Sequence, residues 1–107
     1  MVKTIDVLSL FELQKNRGEL NFIDVRERDE FEDAHADTAK NFPLSSLNPE
    51  NVLKALGIEK TQAIYVICAS GARSAVAAEQ FRKIGCEDVS NVQGGTHAWM
   101  AADLPLG

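Results

Sequence analysis

At 107 residues, with a formal net charge of -5 and 25% charged residues, the chain has room for one domain over 1–107, burying roughly 65% of the surface its unfolded form exposes. Its 45% hydrophobic content excludes disordered and fibrous classes, and the acidic balance argues against non-specific nucleic-acid binding, which needs a surplus of Lys and Arg on one face. No apolar run reaches transmembrane length and Met1-Val2-Lys3-Thr4-Ile5-Asp6 lacks the apolar core of a secretory signal, so a cytoplasmic location without a membrane partner is expected.

The first helical pattern carries Leu10 and Leu13; either Asp6 or Ser9 can cap it, the latter forming a capping box with Glu12, and Gly18 ends it. Asn21 to Val25 reads as a strand. The charged stretch Asp29 to Asp33 reads as a short helix with a solvated face, followed by an extended piece ending in Phe42-Pro43-Leu44. A better marked helix follows: Asn48 caps it, Pro49 takes the first helical position, Val52, Leu53 and Leu56 form its apolar stripe, and Gly57 stops it. Ala63 to Cys68 is a continuous apolar run, the pattern of a central parallel strand covered on both faces. Ala69-Ser70-Gly71-Ala72-Arg73 then gives a loop and Ser74 to Ile84 a helix ended by Gly85. Val89 to Val92 is a last strand, Gly94-Gly95 a turn, and a short helix bears Trp99 as a core aromatic. Strands alternating with helices make an α/β fold, with a central, mostly parallel sheet and helices on both faces.

Such sheets place their sites where strand carboxyl ends meet helix amino ends, and Cys68 sits at one such junction. A thiol becomes a good nucleophile where its thiolate is stabilised. A tight bend entering a helix turns successive amides toward one centre and adds the partial positive charge of the helix terminus. Ala69, Ser70, Gly71 and Ala72 permit the curvature and leave space above the sulfur, and Arg73 at the rim can bind an oxyanion. A buried Cys is often a plain packing residue, but packing gives no reason for strand end, glycine loop, arginine and helix start in one stretch.

Cys68-Ala69-Ser70-Gly71-Ala72-Arg73-Ser74 resembles the active-site loop of the rhodanese family. Ile23-Asp24-Val25-Arg26 with Glu30-Phe31, His35 with Asn41-Phe42-Pro43-Leu44, and Val92-Gln93-Gly94-Gly95 with Ala98-Trp99 resemble the family's other signatures in order, from roughly Ile5 to Pro105. Ala34 to Ala39 departs from the pattern, where members usually carry glycines and an apolar residue around the histidine. Four residues separate Cys68 from Arg73; this resembles sulfurtransferases, whereas phosphatases of the same fold place five there for a larger tetrahedral anion.

The resemblance implies a sulfurtransferase with Cys68 as nucleophile, holding sulfane sulfur from thiosulfate, a polysulfide or a persulfide and passing it to cyanide, sulfite or a thiol. Ala69, Ser70, Gly71, Ala72, Arg73 and Ser74 would bind substrate, and Asp24 and Arg26 would support the loop or form a surface ion pair. Small-molecule donors and acceptors, or a protein persulfide donor or thiol acceptor, are the expected partners, with no metal or organic cofactor. The rivals are a non-catalytic interaction module and a phosphatase or arsenate reductase. His35 and His97 read as structural. Cys86 reads as a packing residue, a resolving thiol being the sharper alternative.

Overall fold

In the computed structural model, which describes residues 1–107, the chain runs β1 (Lys3–Asp6), α1 (Val7–Arg17), β2 (Phe22–Asp24), α2 (Arg28–Asp33), β3 (Lys40–Asn41), a 3-10 turn (Leu44–Ser46), α3 (Pro49–Leu56), β4 (Ile64–Ile67), α4 (Ala72–Lys83), β5 (Val89–Gln93) and α5 (Gly95–Ala101). The strands form one sheet in the order β1-β5-β4-β2-β3, and every pairing is parallel. Side chains alternate between its two faces. Ile23, Ile64, Val66 and Cys68 pack with Val52 and Leu53 of α3 and with Ala77, Ala78 and Phe81 of α4 on one face. Phe22, Tyr65, Ile67 and Val92 pack with Val7 and Leu10 of α1 and Trp99 of α5 on the other. The continuous apolar run of β4 follows from its place in the middle, buried along its whole length.

The helix ends show which local signals prevailed. Asp6 caps α1, accepting from the Ser9 amide at 2.7 Å, so Ser9 lies inside the helix. Asn48 caps α3 by accepting from the Asn51 amide at 3.1 Å, and Gly57 closes that helix at φ 68°; such a cap contributes about 1 kcal/mol. A Glu27–Glu30 capping box starts α2. In Ala34 to Ala39, where glycine was missing, Thr38 itself takes φ 72°, and the segment is tied down by an Asp37 amide bond to the Pro105 carbonyl at 3.0 Å. The edge strand β1 has no counterpart in the sequence reading. No helix is long and apolar enough to cross a membrane.

From β2 the chain crosses to β3 on one side, and from β4 to β5 on the other, while β2 and β4 are neighbours. The crevice beyond the carboxyl ends of β2 and β4 is therefore the point where the winding reverses, which is where open α/β sheets put their sites. Asp24 ends the first of these strands and Cys68 follows the second.

Candidate active site

Cys68 is only 1% exposed, less open than the small residues of its loop suggested. Its surroundings are nonetheless polar on the side facing α4. The Gly71 amide donates to Sγ at 3.1 Å and the Ser74 Oγ lies 3.2 Å from it. Gly71, at φ 116°, is the N-cap of α4, so the helix begins at Ala72 and takes both Arg73 and Ser74 into its first turn. Amides of a first turn have no partner inside the helix. Burial pushes the Cys68 thiol up, but the Ser74 hydroxyl and the amides of Ser74, Gly71 and Ser70 outweigh it and bring the thiol below its ordinary value.

Ser74 is buried beneath the sulfur and away from the mouth where a substrate-binding residue was expected. Its hydroxyl also meets Asn91 Oδ1 at 2.5 Å, while Asn91 Nδ2 donates to the Gly71 carbonyl at 3.1 Å. The carbonyl only accepts, which fixes the amide orientation of Asn91 and leaves its oxygen to receive the single Ser74 proton. The neutral thiol can therefore donate to Ser74 Oγ, and when the thiolate forms the hydroxyl turns that proton from Asn91 to the sulfur, beside the amides. The loop's carbonyls are drawn outward as well. Thr96 donates to the Cys68 carbonyl through its amide at 2.8 Å and through Oγ1 at 3.1 Å, and the His97 amide reaches the Ala69 carbonyl at 3.1 Å. With those carbonyls engaged elsewhere, the amides turn to the sulfur. Gly95 makes the approach possible, since a Cβ there would overlap the Cys68 and Ala69 carbonyls.

Arg73 reaches the mouth, but not as a free cation. Glu30 of α2 grips it at both ends, with Nη1 to Oε2 at 2.7 Å and Nη2 to Oε1 at 2.9 Å. This pairing, with the Glu27 amide, pulls the Glu30 carboxyl down to about 2. The acidic stretch is thus not wholly a solvated face. Asp24 and Arg26 are buried, which removes the surface-pair reading. The Arg26 guanidinium holds both Asp24 oxygens at 3.0 to 3.2 Å and donates to the Ala34 carbonyl at 2.6 Å; neither side chain bonds to residues 69–73. The His35 ring stacks on Phe31 and its Nδ1 meets the Phe31 carbonyl at 2.8 Å.

A sequence profile of the rhodanese-like domain matches residues 9–102 of the chain. The chain belongs to the rhodanese-like domain family. Among solved structures, the rhodanese-like domain of the Alr3790 protein from Anabaena superposes with a TM-score of 0.84 at 29% identity, covering 100% of this chain and 80% of that one. An uncharacterized protein of Synechocystis, slr1261, is 42% identical over 78% of this chain and 44% of its own length. Thiosulfate sulfurtransferase 18 of Arabidopsis thaliana is 32% identical over 79% of this chain and 70% of its own length. The chain spans about half the length of several curated relatives it matches.

Within this rhodanese-like domain the structure brings Cys68, Gly71 and Ser74 into contact, sets Arg73 against Glu30, and leaves Asp24 and Arg26 as a separate buried pair behind the crevice. Asn91, Thr96, Gly95 and the Glu30 carboxylate complete the site and were not foreseen as parts of it. Gly95 was marked by the doubled glycine after a strand and by the Val92-Gln93-Gly94-Gly95 resemblance, and Glu30 by the Glu30-Phe31 resemblance, but neither signal tied them to the sulfur or to Arg73, because Glu30 and Arg73 lie 43 positions apart. Asn91 carried no signal, its partners lying 17 to 20 positions away.

Proposed function

We propose that this chain is a sulfurtransferase that carries sulfane sulfur as a persulfide on Cys68. The observation that carries the reading is the sulfur itself, held at the start of α4 between a main-chain amide at 3.1 Å and a hydroxyl at 3.2 Å, with its thiol below the ordinary value. Membership of the family and relatives named as sulfurtransferases support it.

The Cys68 thiolate attacks the outer sulfur of thiosulfate or of a polysulfide or persulfide, and the remainder leaves with the bonding pair. A second nucleophile, such as cyanide, sulfite or a thiol, takes the sulfur from Cys68. Two displacements through a covalent intermediate give ping-pong kinetics. The amides of Ser70, Gly71 and Ser74 stabilise the charge that develops on sulfur. Residues 1–107 act as one unit, taking sulfur from small molecules or from a protein persulfide in the cytoplasm.

The test is intact mass after incubation with each donor. Wild type should gain one sulfur atom that cyanide removes, and Cys68→Ser should gain none. Absence of the added sulfur with every donor would overturn the reading and leave a docking module.

A further inference from the structure

The sulfur's mouth has an unexpected charge balance. Arg73 is the cation nearest Cys68 in the loop, and the two interact electrostatically, yet its charge is already met by Glu30 in a two-point grip. Arg26, the other guanidinium at this end of the sheet, is met by Asp24. Asp33 lines the groove that runs past Glu30 and Arg26 toward His97 and Met100. Asp24 and Arg26 cancel behind the crevice, so the charge of Arg73 is met by Glu30 while Asp33 adds a further carboxylate along the groove. Arg73 keeps N–H donors free, since a guanidinium has five, but the approaching ligand meets no uncompensated positive charge. Glu30 stays charged at any working pH, its carboxyl being held at about 2. The pair is not locked away either, with side-chain exposures of 37% for Arg73 and 35% for Glu30.

We infer that Glu30 is a specificity-determining residue: by holding Arg73 it sets the Cys68 mouth against dianionic sulfur donors and in favour of donors of low charge, thiol persulfides above all. This rests on the reading of Cys68 as a sulfur carrier. With thiosulfate, Sγ bonds to the outer sulfur, the S–S bond of thiosulfate breaks, and sulfite departs with the pair, so three negative charges share the mouth throughout. With an alkyl persulfide R–S–SH, Sγ bonds to the terminal sulfur, the proton stays on it, and R–S(-) leaves, so the reaction centre carries one charge. Coulomb repulsion scales with the product of the charges, and Glu30 opposes the first route more than the second.

The experiment measures the rate of persulfide loading on Cys68 by intact mass, with thiosulfate and with the persulfide of 2-mercaptoethanol, in wild type, Glu30→Gln and Glu32→Gln. Glutamine can keep the capping box of α2 and frees the charge of Arg73. The ratio of thiosulfate to persulfide rate constants should rise about tenfold in Glu30→Gln, the scale of removing one charge near a dianion in a water-like medium. Glu32→Gln changes net charge equally but touches Arg28 instead, and its ratio should move less than twofold.

An unchanged ratio in folded Glu30→Gln, or an equal rise in Glu32→Gln, would overturn the inference while leaving Cys68 as carrier. No loading by either donor would overturn both. Should Glu30→Gln unfold, Glu30→Ala removes the same charge at a helical position that alanine suits, its ratio should rise as far, and an unchanged or falling ratio there would sink the inference.

Discussion

The two ends of α4 carry the chain's two cysteines, and they behave in opposite ways. Cys68 precedes the helix and Cys86 follows it; both are buried and belong to the same apolar cluster. Burial pushes both thiols up, and at Cys86 it prevails, with only the charge of Lys60 working against it. At Cys68 the hydroxyl and amides of the first helical turn reverse the sign. The difference teaches that depth does not decide thiol acidity here; what decides it is whether orphaned donors at a helix amino terminus face the sulfur. The same comparison removes Cys86 as a resolving thiol. The 12 residues of α4 span roughly 18 Å, far beyond the reach of a disulfide.

The comparison can be broken or sharpened in graded steps. The largest effect is expected from exchanging roles: Cys68→Ser should bring sulfur transfer to cyanide down to background, while Cys86→Ser should retain it, as measured by steady-state turnover. Next comes Gly95→Ala. Its methyl would meet the carbonyls of Cys68 and Ala69 at a backbone of φ +60°, so transfer should fall at least tenfold and denaturant unfolding should show a loss of about 2 kcal/mol.

Ser74→Ala should have a middling effect. It removes a donor to the thiolate, so alkylation of Cys68 at neutral pH should slow several-fold and its pH profile should move toward that of an ordinary thiol. An unmoved profile would mean the amides alone set the acidity. The smallest effect concerns Glu30. Its carboxyl lies at about 2 in the folded protein against 4.5 without partners, so its stabilisation is present above 4.5 and is lost as pH falls toward 2. Wild type should exceed Glu30→Gln above that window by under about 1 kcal/mol, because the pair is partly solvated, and acid titration of unfolding should show the two converging.

The fold was legible where one segment carries its own reason. The apolar run of β4, the Asn48-Pro49 start and Gly57 stop of α3, and the doubled glycine before α5 each state a local constraint. β1 was not legible, since Lys3, Thr4 and Asp6 are exposed and Ile5 alone is half-buried, leaving no buried face to read. For the site, Cys68 and its loop could be found because strand, bend and helix are contiguous. The grip of Glu30 on Arg73 and the Asn91 contacts depend on which strand lies beside which, so a charge run that resembled a solvated face concealed one inward carboxylate.

The clamp on the outward carbonyls ties the sulfur to a remote part of the fold. Thr96 binds the Cys68 carbonyl across 28 positions of sequence, and Asn91 meets Ser74 across 17, so the loop is braced around the sulfur only where β5 and the turn after it are docked. The donors that lower the thiol sit within six positions of it, while the braces that hold them come from the far end of the chain. The alkylation rate of Cys68 therefore doubles as a gauge of whether that distant strand and turn are in place.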